Sequence, residues 1–161
     1  PQIVYGFGLS AKYKRWDFSV YFQGVSKVSI YMNDIHPFGV YHKNVLGFVA
    51  KDYWSESNPN PAAAYPRLSH TDGRDNTEVL SSYWLRDGAF LRLKNLEIGY
   101  SFKWMRVYLS GANLLTFSPF KHWDPELGGY DNKPESSSAN RGNGLRYPLQ
   151  KIVNIGAQFN F

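Results

Sequence analysis

The side chains able to do chemistry are few and poorly placed for it. Four histidines, His36, His42, His70 and His122, fall at no spacing that would let a helix or turn close two of them on one metal. Asp124 and Glu126 stand two apart across Pro125, the residue types of a glycosidase pair. That reaction needs two carboxylates facing each other across a cleft, about 5 to 9.5 Å apart, and neighbours on one loop read first as turn and rim residues. Asp72-Gly73-Arg74-Asp75-Asn76 has part of a calcium loop but neither its spacing nor its closing glutamate. No phosphate-cradling glycine loop, His-Glu-x-x-His pair or Gly-x-Ser-x-Gly elbow occurs. With no cysteine, thiol catalysis, disulfides and cysteine-ligated zinc are also out. The residues point to no enzyme, no metal and no cofactor.

What the sequence does carry is alternation. Among 161 residues, 17% are aromatic, and many recur at every second position, the period of a β-strand between two environments. Tyr5, Phe7, Leu9, Ala11 and Tyr13 alternate with Gly6, Gly8, Ser10 and Lys12. Trp16, Phe18, Val20 and Phe22 alternate with Asp17, Ser19, Tyr21 and Gln23. Leu96, Ile98, Tyr100 and Phe102 interleave with Glu97, Gly99 and Ser101. A weaker run follows through Val107, Leu109 and Gly111, and the last sets Val153, Ile155, Ala157, Phe159 and Phe161 against Asn154, Gly156, Gln158 and Asn160, with Lys151 and Ile152 out of phase at its start. The predicted strands are about 3–13, 16–25, 89–102, 106–117 and 147–161.

Connections between these runs are short, long, short, long: Lys14-Arg15, then about 26–88, then Lys103 to Met105, then about 118–146. Transmembrane barrels are built this way, with brief periplasmic turns and long extracellular loops. The better runs carry enough alternate bulky groups to cross an apolar band about 25 Å tall, while the opposite face is small or polar. Tyr13, Trp16, Phe102, Trp104, Phe159 and Phe161 lie at the short-turn ends, where an aromatic girdle would meet the interface. Lys14, Arg15, Lys103 and Arg106 add positive charge at the level of lipid headgroups. The expected fold is therefore all-β, an antiparallel transmembrane β-barrel with long extracellular loops. If short turns are periplasmic, the last strand runs inward and the first begins outside. The odd strand number then implies the C-terminal five strands of a larger barrel, since bacterial barrels are even-numbered and five strands enclose no lumen.

Two other architectures fit the same alternation less well. A soluble all-β module for carbohydrate would turn its apolar face inward and present Trp54 and Trp123 to sugar rings; an outer-membrane barrel of another trade, such as an adhesin, would share the pattern. A membrane helix is excluded because no run reaches the ~18 apolar residues it needs. The net charge of +5 suits nucleic acid only if basic and aromatic residues share a face. Here basic groups gather at turns and aromatics on the alternating side, so no nucleic-acid partner is expected. Within the first long loop, Tyr41, Val45, Val49 and Tyr53 recur four apart and predict a short amphipathic helix over Val40–Trp54, ended by Asn58-Pro59-Asn60-Pro61. Val28 to Tyr31 could extend the second strand.

The run from Tyr83-Trp84-Leu85-Arg86-Asp87-Gly88 through Leu91-Arg92-Leu93-Lys94-Asn95 to Gly99-Tyr100 closely resembles a segment of SusC/RagA-type TonB-dependent transporters, outer-membrane proteins of Bacteroidetes. Trp54 through Asn58-Pro59-Asn60 to Tyr65-Pro66-Arg67-Leu68, Val107 to Phe117, Trp123-Asp124-Pro125-Glu126, and Arg146-Tyr147-Pro148 to Phe161 resemble the same family in the same order. Trp123 stands where that family often has Phe.

The resemblance implies a roughly 22-stranded barrel with a plugged lumen, multi-pass in the cell outer membrane. It implies energised import of oligosaccharides or peptides with a SusD-like surface lipoprotein, and coupling to the TonB complex through a part of the receptor outside this chain. It further implies that the terminal strand with Phe161 is the signal read by the barrel-assembly machinery. Candidate substrate contacts are the lumen-facing Asp17, Tyr21, Gln23, Glu97, Asn154 and Gln158, with Trp54 and Trp123 on the loops. The plainer reading is that the inward polar groups bond to the plug or to one another.

Overall fold

The computed structural model describes residues 1–32, 46–68, 82–127 and 147–159. In chain order the strands are β1 Ile3–Tyr13, β2 Trp16–Ser26, β3 Ser29–Tyr31, β4 Leu85–Asp87, β5 Phe90–Ser101, β6 Met105–Phe117 and β7 Ile152–Phe159. One five-stranded sheet has the order β1-β2-β5-β6-β7, every pair antiparallel. The short β3 and β4 form a separate two-stranded sheet, flanked by backbone bonds from Met32 N to the Trp84 carbonyl and from Gly88 N to that of Val28. The chain divides into two compact units: Pro1–Ile30, Asp87–Gly128 and Arg146–Phe161, which contain the large sheet, and Tyr31–Arg86 with Gly129–Leu145.

Register explains why the sheet has two chemically different faces. Directly paired residues share a face, so cross-strand partners line up in rows. Tyr13, Trp16, Tyr100, Val107 and Ala157 make one row; Ala11, Phe18, Ile98, Leu109 and Ile155 the next; Leu9, Val20, Leu96, Gly111 and Val153 the third. The rows between them belong to the other face: Lys12, Asp17, Gly99, Tyr108 and Gly156, then Ser10, Ser19, Glu97, Ser110 and Asn154. Apolar-face side chains stand open on the edge strands, with Leu9 63% and Ile155 81% exposed, and on the inner strands Ile98 and Leu109 are exposed while Phe18 and Val20 are half-buried. So continuous an apolar surface far exceeds what a soluble monomer shows to water, and it suits an apolar solvent.

Two irregularities keep that facing consistent. Between Leu93 and Asn95 the β5 ladder shifts against both neighbours: Lys94 is the extra residue opposite β2, while opposite β6 it faces two residues, Asn113 and Leu114. Leu91 and Leu93 are apolar-face at odd positions, Leu96 and Ile98 at even ones, and the bulge reconciles the phases. On β6, Asn113 takes a left-handed backbone (φ 55°) in the corresponding stretch, a conformation that asparagine tolerates better than most residues. The β1–β2 hairpin turns through Lys14, also left-handed at φ 55°, which is the sign of φ that tight hairpins require.

Four sequence-based placements differ from the structure. The helix expected over Val40–Trp54 is the five-residue α1, Gly47–Lys51. Its N-cap Leu46 makes no side-chain bond, and Tyr53 instead forms a bridge with Tyr65; Tyr41 and Val45 lie outside the described residues. Ser29–Tyr31 is a strand of the small sheet and not an extension of β2. The last strand begins at Ile152 and not at 147, with Phe161 outside the described residues. Arg106, grouped with the interfacial cations, belongs to the polar face. In the second unit, Met32, Val49, Tyr65 and Trp84 are buried, with Tyr65 5.9 Å from the Phe48 ring and 6.4 Å from that of Trp84.

Candidate functional site

The polar face of the large sheet gathers the chain's chemistry into two ionic networks. At its turn end, beside the Lys14 and Lys103 connections, the Arg106 guanidinium donates from Nε to Asp17 Oδ2 at 3.0 Å and from Nη2 to Asp17 Oδ1 and to Glu97 Oε1, the last at 2.6 Å. Asp17 is on β2 and Arg106 on β6, so the pair bridges strands that are not neighbours, passing over β5 at Gly99. A Cβ at Gly99 would stand about where the Arg106 and Asp17 terminal atoms are; the close approach requires glycine. The planar, two-pronged geometry is what arginine supplies and lysine does not. Arg106 also lies 5.0 Å above the Tyr108 ring, and Tyr108 in turn covers Gly156.

At the loop end, Arg92 is 2% exposed. It bonds through Nη2 to Asp124 Oδ1, its Nε lies 3.2 Å from Glu126 Oε2, and the Phe90 ring is 5.7 Å from its guanidinium. Lys94, the bulge residue, holds Glu126 through both carboxylate oxygens at 2.8 and 3.0 Å. Asp124 Oδ1 further accepts from Glu126 N at 3.0 Å, opening the 3-10 turn Pro125–Leu127. Ser118 donates to the Ala89 carbonyl at 2.7 Å, and Phe120 stacks edge-on against Trp123 at 4.7 Å. Residues 118–127 are thus clamped to the wall by charge, hydrogen bond and ring contact. A buried arginine is tolerable only with such partners, and the two carboxylates that resembled a hydrolytic pair are occupied in supplying them.

Of the candidate contacts, Asp17 and Glu97 meet through Arg106. Tyr21, Gln23, Asn154 and Gln158 are on the same face; Tyr21 lies over Gly6 and Gly8 of β1, and Gln23 pairs with Arg92 in register. Trp123 is half-buried beside Phe120. Trp54 belongs to the second unit, where its N–H donates to the Tyr65 carbonyl at 3.0 Å. Sequence reasoning missed Arg92, Lys94 and Arg106 as organisers. Basic residues at alternate positions on a polar face were the available signal, but their partners lie up to 89 residues away.

No family model matches the chain. Across its whole length it is similar to two proteins of Formosa agariphila: TonB-dependent receptor P26, 30% identical over 173 aligned residues, and TonB-dependent receptor P3, 26% identical over 172. It spans 17% and 16% of the length of these relatives. Among solved structures it is similar to the RagAB peptide importer in its open-open state, 27% identical with a TM-score of 0.67 over 98% of this chain and 17% of that one. A second RagAB peptide transporter structure gives 25% identity and a TM-score of 0.62 over 94% of this chain and 16% of that one.

Proposed function

We propose, from the premise that the chain belongs to the TonB-dependent receptors as a piece of their barrel, that it forms a length of outer-membrane transporter wall. The observation that supports this most directly is the register: an apolar face across five antiparallel strands, backed by a polar face on which Arg106 joins Asp17 and Glu97 across three strands. Lipid on one side and an aqueous bore on the other is the arrangement such a sheet serves. In this reading 26–88 and 118–146 are the extracellular loops, and the short connections face the periplasm. The clamped segment 118–127 forms part of the outer mouth.

The whole receptor would import oligosaccharides or peptides in concert with a SusD-like surface lipoprotein. Energy would come from TonB through a part of the receptor outside this chain, and the strand ending in Phe161 would be read during assembly. The peptide cargo of the RagAB relatives makes peptide the first substrate to test. Polar-face side chains contribute as smooth, internally satisfied wall, and the relatives are receptors and importers by name, not enzymes.

The test is uptake by the full-length receptor in its own outer membrane, using labelled oligopeptides and oligosaccharides. Accumulation of one class that stops when the proton-motive force is dissipated is the expected result. A receptor that accumulates neither, or does so without energy, overturns the reading.

A further inference from the structure

At the turn end of the apolar face the sheet carries a hollow of about 590 Å³ lined by Trp16, Ile98, Tyr100, Val107, Leu109 and Ile155. Its outer margin is Phe102, 51% exposed, with Trp104, 72% exposed, close by in the β5–β6 turn. The two hairpin turns meet there: Ser101 N donates to the Arg15 carbonyl at 2.7 Å, so Lys14 and Arg15 of one turn adjoin Lys103 of the other. The Lys14 ammonium lies 5.2 Å from the ring of Tyr13, an apolar-face residue, and so sits at the rim of that face. The nearest acidic side chains in register, Asp17 and Glu97, point to the opposite face and are held by Arg106. Among the described residues, Lys14, Arg15 and Lys103 have no carboxylate partner. A greasy trough open to the membrane therefore ends in uncompensated positive charge.

We infer that this trough and its basic rim hold one anionic phospholipid, an acyl chain lying along Tyr100, Leu109 and Ile155 and the phosphate over Lys14, Arg15 and Lys103. The inference rests on the barrel reading above. Charge complementarity selects the occupant: a zwitterionic lipid offers the same chain, but its own cation offsets the phosphate, whereas an anionic headgroup leaves a net charge to be attracted. The aromatic ends of Trp16 and Tyr100, 4.9 Å apart and edge-on, form the wall that separates chain from headgroup, the depth at which such rings reside.

The experiment places a bimane fluorophore at Leu109→Cys in the full-length receptor, freed of other cysteines. The receptor is reconstituted in phosphatidylcholine vesicles containing increasing chain-brominated phosphatidylglycerol or, separately, chain-brominated phosphatidylcholine. Half-maximal quenching should need about five-fold less brominated phosphatidylglycerol, the ratio one basic residue near a surface supplies. The triple variant Lys14→Gln, Arg15→Gln, Lys103→Gln should lose that preference while quenching by phosphatidylcholine persists. A label at Leu115→Cys, on the same face at the loop end, should show no preference. Equal quenching by the two lipids, or a preference surviving the triple variant, overturns the site while leaving the barrel intact. Quenching by neither lipid at either label overturns the barrel reading itself.

Discussion

Arg92 carries a full charge at 2% exposure, held by Asp124 and Glu126. Replacing it with Met would strand two partly buried carboxylates with only Lys94 between them, a loss of about 3–5 kcal/mol for a broken buried network. The thermal dissociation midpoint of the full-length receptor in detergent should fall accordingly, and an unchanged midpoint would show that the clamp holds nothing. Gly99 acts differently. Gly99→Val should push apart Asp17 and Arg106, whose terminal atoms occupy the space a Cβ needs. In that background Arg106→Gln should cost nothing further, whereas in the parent it should cost about 1 kcal/mol for a half-exposed pair; urea unfolding in vesicles measures both, and additive losses would contradict the coupling. Neither role was legible from spacing. Arg92 and Asp124 are 32 residues apart, Asp17 and Arg106 89, and only a register turns such separations into contact.

Strands were legible in proportion to the purity of their period. Tyr5 to Tyr13 and Trp16 to Gln23 carry the clearest alternation, and strands cover them at Ile3–Tyr13 and Trp16–Ser26. β5 was expected over about 89–102, but its alternation is clean only from Leu96 onward because Lys94 reverses the phase, and β6 read weakly because Tyr108 and Ala112 fall on the polar side and Gly111 on the apolar one. Ile152, which broke the pattern, is the first residue of β7 and pairs with Ala112 on the polar face. The four-residue recurrence through Val49 and Tyr53 misled for a related reason: a period cannot say whether neighbours are joined by helix or by a bridge to Tyr65. The bulge itself is testable. Deleting Lys94 would turn Leu91 and Leu93 toward the polar face and Arg92 toward the apolar one, taking Arg92 from Asp124 and Glu126 and exposing it to lipid at the loop end. The full-length receptor should then fail to give the compact, heat-modifiable species in gels, and normal assembly would contradict the assigned phase.

The molecule as a whole depends on which face meets hydrocarbon. Ile155 and Asn154 are adjacent on β7 but belong to opposite faces. Ile155→Arg should reduce the folded fraction recovered in the outer membrane, by less than the ~2–4 kcal/mol of a midplane site because Ile155 is near the turn end, while Asn154→Arg should be tolerated; equal effects would show the facing to be misassigned. At this scale fold class was readable from the sequence, since alternation and the rhythm of connections are global properties. The polar surface has a further consequence. Tyr21 reclines over Gly6 and Gly8, Tyr108 over Gly156, and the Arg106 head over Gly99, so long side chains that would otherwise stand upright lie flat like paving. The height of this surface is then governed by residues with no side chain, and a single methyl added beneath one of those tiles would tip it away from the sheet.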